Sequence, residues 1–345
     1  MAYTSIAKAT DHFNTVPWTG TSSSPLNVTG YGFQPDWVWN KYRAGSGDHQ
    51  VYDAVRTATK MLIPNSTAAE STNANGVTSF ISDGFTAGSD INVNSGNSVA
   101  WGWKANGAGS ANSDGSANNV VVSANTTSGF SIVQGDMNAS GSWTFGHGLG
   151  VAPSVIILRG QAVTSHWFVY HKSLGAGNYI ALNSTDASAS NTTFMDNTAP
   201  TSSVFSMNAG TWSAGAGQKI IAYCFAEKTG FSKFGEYTGN GNSDGTFVHL
   251  GFKPAFVIIK SKGSGTHWRL ADNKRDTFNP STKQLFANNN AAEATDSNYG
   301  IDFLSNGFKH RNTNSDLNQN SVNYIYMAWA ESSFVGTNNI PTTAR

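Results

Sequence analysis

The sequence predicts an all-β protein made of three tandem β-sandwich or jelly-roll-like repeats of about 100 residues each. Three observations support this prediction. Short runs of aromatic and β-branched residues are bounded by Gly, Asn, Asp and Ser, as expected for strands joined by tight turns. No segment shows a sustained apolar stripe with the 3.6-residue period of a helix. Finally, three segments of the chain share one residue pattern, which indicates an internal repeat.

Each copy of the pattern opens with a glycine, a proline and then an apolar run that ends in a cation. A histidine follows the cation, and in the second and third copies it stands directly before a tryptophan. The opening residues are Gly32, Pro35 and Lys41, then Gly148, Pro153 and Arg159, and then Gly251, Pro254 and Lys260, with histidines at His49, His166 and His267.

The remaining shared features set the limits of the repeats. A polar triplet that begins with Asn recurs at 65–67, 183–185 and 288–290, and each copy closes on an aromatic, apolar strand at 99–103, 220–225 and 324–329. A leading strand recurs near 13–20, 130–140 and 231–241. We therefore place the first repeat at 11–106, the second at 128–228 and the third at 229–332, followed by a C-terminal tail at 333–345.

The junctions between the repeats differ in composition. The second and third repeats follow one another almost directly, whereas residues 107–127 are rich in Gly, Ser and Asn. This composition predicts a flexible linker, although Val120-Val121-Val122 could add a short strand. Because of this linker, the first repeat is expected to move relative to a docked pair. Each repeat is long enough to bury a core of its own.

The aromatic residues favour core packing over a sugar-binding platform. Trp37 and Trp39 alternate with Val38 and therefore share one face of a strand. Their counterparts in the third repeat are Phe256 and Ile258, and isoleucine offers no flat ring. Trp101 and Trp103 are interpreted in the same way. Cys224, which has no second cysteine to pair with, aligns with Gly102 and Ala328 and indicates a tightly packed position.

The three histidines are the best polar candidates. One interpretation is a metal or acid–base role, and the other is a hydrogen bond that orders a loop in each repeat. We favour the structural interpretation, because an active site needs its catalytic residue only once and no His-x-x-x-His or Cys-x-x-Cys spacing is present. The sequence therefore predicts no catalytic residue, no metal ligand and no cofactor, and it leaves the ligand-binding residues unknown.

A second polar pattern is an acid followed three residues later by arginine. It occurs as Asp53 with Arg56 and as Asp272 with Arg275, whereas the second repeat has His171-Lys172-Ser173-Leu174. One interpretation is a local ion pair that orders a loop, which contributes little stability if it is exposed. A ligand clamp in the first and third repeats is the alternative interpretation.

The charge balance excludes several classes of function. There are 21 basic and 21 acidic side chains, and charged residues make up 12% of the chain. A nucleic-acid partner would require a basic excess, and an anionic membrane surface would require the same. The sequence shows no signal peptide, no apolar run of membrane-spanning length, no phosphate-binding loop and no nucleophile elbow. We therefore predict no nucleic-acid partner and no membrane insertion.

Several phrases of the chain together resemble repeat-containing, tail-fibre-like virion structural proteins of marine tailed bacteriophages. The resemblance covers nearly the whole chain but brings no catalytic or ligand-binding residue with it, and the second repeat departs from it most. The phrases are Gly32-Phe33-Gln34-Pro35-Asp36, Ser82-Asp83-Gly84-Phe85, Ile221-Ala222-Tyr223-Cys224-Phe225-Ala226-Glu227, Gly230-Phe231-Ser232-Lys233-Phe234 and Tyr237-Thr238-Gly239-Asn240-Gly241.

The resemblance implies a non-enzymatic virion protein that is made in the bacterial host cytoplasm and assembles with other virion proteins into an oligomer. A tail-fibre or adaptor part in host-surface attachment is the first hypothesis, with host surface polysaccharide as a partner. A head decoration (capsid-cementing) protein, whose three repeats mimic a trimer, is the alternative. A tail-associated polysaccharide depolymerase ranks below both, because it would need two carboxylates facing one cleft.

Overall fold

The computed structural model describes residues 4–92, 95–137, 140–208, 217–263, 265–333 and 335, and within these ranges the chain is all-β. The all-β prediction is therefore confirmed. Two short 3-10 helices, Ala9–Asp11 and Ser297–Tyr299, are the only helical segments in that part of the chain. No helix in the described ranges is long and apolar enough to cross a membrane.

The first repeat forms one six-stranded and one three-stranded antiparallel sheet. The larger sheet has the order β1-β9-β3-β4-β5-β6 and the smaller sheet the order β2-β8-β7. The strands are β1 (Phe13–Thr19), β2 (Leu26–Thr29), β3 (Trp37–Tyr42), β4 (Gln50–Asp53), β5 (Thr57–Leu62), β6 (Ser71–Thr72), β7 (Val77–Ile81), β8 (Gly84–Ala87) and β9 (Asn97–Trp103).

The second repeat and the segment before it form an eight-stranded and a two-stranded sheet. Their orders are β10-β11-β12-β19-β14-β15-β16-β17 and β13-β18. The strands are β10 (Ser110–Ala111), β11 (Asn118–Asn125), β12 (Phe130–Asp136), β13 (Ser142–Gly146), β14 (Val155–Gly160), β15 (Phe168–His171), β16 (Asn178–Ala181), β17 (Ala189–Ser190), β18 (Val204–Asn208) and β19 (Lys219–Phe225).

The third repeat forms a six-stranded and a three-stranded sheet, with the orders β20-β28-β22-β23-β24-β25 and β21-β27-β26. The strands are β20 (Ser232–Thr238), β21 (Phe247–His249), β22 (Phe252–Ser261), β23 (Arg269–Asp272), β24 (Lys283–Phe286), β25 (Ala294–Thr295), β26 (Ile301–Leu304), β27 (Gly307–His310) and β28 (Asn323–Ser333).

One strand order recurs in the three larger sheets. In each, the leading strand (β1, β12 or β20) pairs with the closing strand (β9, β19 or β28), which pairs in turn with the strand after the proline. The predicted linker does not fit this structure, because residues 107–127 contain the whole of β10 and β11. Strand β11 pairs with β12 over most of its length and so extends the sheet of the second repeat. The high β-propensity of the valines at 120–122 favours a strand here despite the Gly and Ser residues around them.

The three larger sheets share one aromatic core, in addition to the separate apolar clusters that the first and second repeats bury between their own two sheets. Trp103, Phe225 and Trp329 occupy the same position on the three closing strands. Their rings form a closed triangle with centroid distances of 6.3, 5.3 and 5.3 Å. The inner faces of the larger sheets therefore meet around a pseudo-three-fold axis, and the first repeat is packed rather than mobile.

The outer face of each larger sheet is covered by the smaller sheet of the same repeat. In the first repeat Val28 and Phe85 pack there against Val38, and in the second Phe145 and Phe205 pack against Ile156. Each repeat is thus a two-layer β-sandwich. Trp37, Trp39, Trp101 and Trp103 are all buried, which confirms their prediction as core residues. Cys224 is buried too, and burial raises the pKa of its thiol.

Candidate functional site

The polar residues that the sequence marked out lie mostly where one repeat contacts the next. A ring N–H at the start of β4, β15 and β23 donates to a carbonyl of the neighbouring repeat. His49 Nε2 lies 3.0 Å from the oxygen of Phe286, Trp167 Nε1 donates to Ile63 over 2.8 Å, and Trp268 Nε1 donates to Ala181 over 2.8 Å. These bonds link the first repeat to the third, the second to the first and the third to the second, so they close a ring.

The equivalence of His49 with His166 and His267 was wrong by one residue. By its place before β4, His49 corresponds to Trp167 and Trp268. Its Nδ1 accepts the indole N–H of Trp39 over 2.9 Å, so Nε2 carries the proton that is shared with Phe286. Burial lowers the pKa of His49 well below its ordinary value, which keeps the ring neutral.

His166 and His267 instead correspond to Asp48, and all three order a loop. The Asn183 side-chain amide lies 3.2 Å from His166 Nδ1, and the Asn288 amide lies 2.9 Å from His267 Nδ1. Asn65 donates to Asp48 over 2.7 Å in the same way. Within the described ranges, no group of three or more His, Cys, Asp or Glu side chains is placed to hold a metal ion.

The cations at the ends of the apolar runs also reach into the neighbouring repeat. Lys41 Nζ donates to Asn290 over 3.4 Å, Arg159 to Thr67 over 3.2 Å and Lys260 to Thr185 over 3.3 Å, in each case to the backbone carbonyl. All three cations are buried. Burial lowers the pKa of Lys41 and Lys260 to about 8 and that of Arg159 to about 10. The cation of each repeat motif therefore helps to close the ring by binding the neighbouring repeat.

The acid–arginine pattern forms a buried cluster at the interface of the first repeat with the second. Arg56 Nε lies 2.6 Å from Asp53 Oδ2, and Arg56 Nη1 lies 3.0 Å from Glu70. The Tyr223 hydroxyl of the second repeat donates to Asp53 over 2.8 Å. Burial alone would lower the pKa of Arg56, but Asp53, Tyr223 and Glu70 raise it overall. The side chains of Asp53 and Arg56 are at most 1% exposed, so the local ion pair that the sequence indicated is buried.

A matching cluster joins the third repeat to the first. Arg275 Nε lies 2.5 Å from Asp272, and Arg275 Nη1 lies 2.8 Å from Glu293. From the first repeat, the Trp101 indole donates to Asp272 over 3.2 Å and Arg43 binds Glu293 over 2.6 Å. We refer to these two sets of residues as the acid–arginine clusters.

Among the residues that the structure describes, the interface between the second and third repeats has no such cluster. His171 takes the place of Asp53, and Leu174 takes the place of Arg56. The His171 Nδ1 accepts the backbone N–H of Ser173 over 3.1 Å, so Nε2 donates to the carbonyl of Tyr326 over 3.2 Å. Burial lowers the pKa of His171 to about 4. The ion pairs here, Lys172–Glu227 and Lys262–Glu236, are partly exposed.

A cleft of about 390 Å³ opens beside this interface, between strands β20 and β21 of the third repeat and Lys172 of the second. A smaller cavity of about 250 Å³ adjoins it and shares Glu227, Lys233 and His249 in its lining. A separate cavity of about 230 Å³ in the first repeat is lined by residues that include Tyr42 and Asp90. Sequence reasoning did not find the cleft, although Gly235 within the leading strand β20 was a usable signal.

Comparison with known proteins places the chain in a family. Residues 8–333 match the family described as a domain of unknown function (DUF7483). No curated protein matches the chain. Because the family match spans all three repeats and the segment between the first two, the chain belongs to the DUF7483 family.

Proposed function

We propose that this protein is a non-enzymatic structural component of a bacteriophage virion, acting as a tail-fibre or adaptor part in attachment to the host surface. We further propose that it is mounted as a single-chain pseudo-trimer on a partner of three-fold symmetry. The proposal rests on the resemblance to tail-fibre-like virion proteins and on one structural observation, the closed ring of three sheets around one axis.

The closed ring argues for a cap or adaptor and against a string of separate modules. In a linear string the first and third repeats would not touch. Here Lys41 and Arg43 of the first repeat bind Asn290 and Glu293 of the third. Three similar faces around one axis can bind three equivalent sites of a trimeric partner, because their contacts follow the same rotation.

The same ring favours a second candidate, a head decoration protein. A pseudo-trimer matches a three-fold or quasi-three-fold position of a capsid as well as it matches a trimeric fibre. The two candidates differ in copy number, which should be tens or fewer per particle for a tail part and hundreds for a decoration protein.

A depolymerase receives less support from the site. The carboxylates of the acid–arginine clusters are buried and held in ion pairs with Arg56 and Arg275. In the cleft, Glu227 and Glu236 are ion-paired with Lys172 and Lys262. A glycosidase requires one carboxylic acid with a raised pKa, and a neighbouring cation opposes protonation of the acid.

Reconstruction of the intact particle with the protein labelled tests the proposal. We expect density for the pseudo-trimer on the tail, centred on a three-fold axis, and binding of the purified protein to host envelopes. Density on the head at high copy number would transfer the proposal to the decoration candidate. Absence of the chain from purified particles, or release of reducing sugar from host polysaccharide by the purified protein, would overturn it.

A further inference from the structure

The cleft between the second and third repeats has the size and the lining of a ligand-binding site. Its long wall is the leading strand β20, and the opposite wall is β21, with Phe247, Val248 and His249. Lys172 and Glu227 of the second repeat also line it. The cleft volume of about 390 Å³ falls within the range of small-molecule sites, roughly 300–1,000 Å³.

In the lining of the cleft, the third repeat exchanges the large and the small residue of a cross-strand pair. At the same position of the leading and closing strands, the first repeat pairs Val16 with Ala100 and the second pairs Val133 with Ala222. The third pairs Gly235 with Tyr326. A glycine in the middle of a strand commonly marks the close approach of another group.

The exchange brings a hydroxyl to the floor of the cleft. A Cβ atom at Gly235 would lie 2.7 Å from the Tyr326 hydroxyl, so any side chain at that position would displace it. Within the described ranges, the Tyr326 hydroxyl has no hydrogen-bond partner, whereas the hydroxyl of the neighbouring Tyr324 donates to Ser315 over 2.7 Å. A hydroxyl held at the floor without a partner is suited to a polar ligand.

The charges around the cleft are balanced. Lys172 and Lys233 face Glu227 and Glu236, so two cations meet two anions. Lys233 is held by a bond from Nζ to the carbonyl of His249 over 2.8 Å. Carboxylates only accept hydrogen bonds, and ammonium groups only donate them. The lining therefore offers both kinds of partner without a net charge, which suits a neutral ligand that carries many hydroxyls.

An exposed ring completes the wall. Phe247 is 43% exposed, and His249 contacts it edge to face at a centroid distance of 6.4 Å. An aromatic face at the mouth of a polar cleft can pack against the apolar C–H face of a pyranose ring while polar groups bind the hydroxyls.

We infer that this cleft binds a neutral hexopyranose unit of a polysaccharide. The inference deepens the proposed role in host attachment and rests on it for its biological meaning. An extended peptide is the competing occupant, but the free edge of β20 is already partly bonded. The Phe234 amide donates to Glu227 Oε1 over 2.8 Å, and the Ser232 amide donates to Lys228 over 2.9 Å. An incoming strand would therefore lose part of its ladder.

Calorimetry on the full chain with defined oligosaccharides tests the inference. The probes are the neutral hexasaccharides of glucose (α-1,4 and β-1,3 linked) and mannose, together with acidic oligogalacturonate and oligoalginate. We expect at least one neutral probe to bind at millimolar or lower concentration, with little binding of the acidic probes. Phe247→Ala and Tyr326→Phe should each weaken binding roughly tenfold.

Matched variants separate the site from general effects. Phe278, with 81% exposure, is another exposed phenylalanine and lies outside the cleft lining, so Phe278→Ala should leave binding unchanged. Gly235→Val restores the residue of the other two repeats and should abolish binding while the protein stays folded. Failure of every neutral probe to bind, preference for the acidic probes, or binding unaffected by Phe247→Ala and Gly235→Val would overturn the inference. None of these outcomes bears on where the chain lies in the particle.

Discussion

The interface between the first and second repeats and that between the second and third use the same ring-closing bonds but differ in their charged groups. The first contains a buried acid–arginine cluster, in which Arg56 bridges Asp53 and Glu70. The other has His171 and Leu174 at the corresponding positions, with partly exposed lysine–glutamate pairs beside them. The cleft opens at the second of these interfaces. The repeated contacts therefore hold the ring together, and the candidate site lies beside the interface that departs most from the repeat.

The free energy of burying charged groups explains why the second repeat can lack the acid–arginine pair. A buried ion pair gains little over a well-packed apolar pair, because burying the charges costs nearly as much as their attraction returns. Breaking such a pair is far more costly, since it leaves one charge buried without its partner. The second repeat replaced both partners, by His171 and Leu174, and so avoided that cost.

Removal of a cation from each interface should give the largest contrast. Arg56→Met leaves Asp53 and Glu70 without their partner in a buried setting, and we expect a loss of about 3–5 kcal/mol in the free energy of unfolding. Lys172→Met removes a partner of Glu227 whose side chains are 41% and 34% exposed, so the loss should be about 1 kcal/mol or less. Urea denaturation of both variants measures the contrast. Equal losses would show that the two interfaces do not differ energetically.

Acid should weaken the second–third interface through His171. Its pKa is about 4 in the folded protein against an ordinary value of 6.5, so the unfolded chain takes up the proton first as the pH falls. The contribution of His171 to stability should therefore be constant above pH 6.5 and should decline between pH 6.5 and pH 4, by about 3 kcal/mol in total. His310, whose pKa burial lowers to about 3, should add to the decline.

Substitution of His171 isolates its share of the decline. We expect His171→Gln to lower stability near neutral pH and to make the dependence on pH shallower. The matched control is His249→Gln, because His249 is exposed. Unfolding curves measured through this pH range would contradict the assignment if the His171 variant kept the full slope.

The class of the fold and much of its core could be predicted from the sequence, because both leave local patterns. Strand periodicity and turn residues were sufficient to predict the all-β class, and the aromatic positions Trp37 and Trp103 were sufficient to predict core residues. The direction in which the strands face was not predictable. Trp37 stacks on Tyr223 of the second repeat at a centroid distance of 4.2 Å, and a residue buried against a neighbour has the same local sequence as one buried in its own sandwich.

The candidate site was harder to predict than the fold. Alignment matched His49 to His166 and His267 by residue type, whereas a tryptophan ring makes the equivalent bond in the other two repeats. At this position the ring must supply an N–H donor, and both the smaller imidazole and the larger indole do so. The cleft is lined by Lys172 of the second repeat and by β20 of the third. The relative position of these two elements is determined by the contacts that close the ring and not by the local sequence. Gly235 in place of a valine was the one signal within the sequence.

Installing the acid–arginine pair in the second repeat tests whether its backbone places the two positions as the first repeat does. His171→Asp or Leu174→Arg alone should destabilise the protein, because each buries a charge without a partner. The double variant should recover part of the loss, with a coupling energy of about 2 kcal/mol in a double-mutant cycle. A coupling near zero would mean that the backbone at this interface does not bring the two positions into the arrangement of Asp53 and Arg56.

The smallest effects should come from the cations at equivalent positions on the rim of the ring. Arg43 makes two hydrogen bonds to Glu293, from Nε over 2.9 Å and from Nη2 over 2.6 Å, whereas Lys262 binds Glu236 at a more exposed place. We expect Arg43→Gln to cost about 1 kcal/mol and Lys262→Gln less, because a two-bond arginine pair has better geometry than a lysine pair. The cost for Arg43→Gln should shrink in high salt only slightly, since its pair is the less exposed one. Denaturation at low and high salt measures both, and a larger cost at Lys262 would reverse the order of the interfaces.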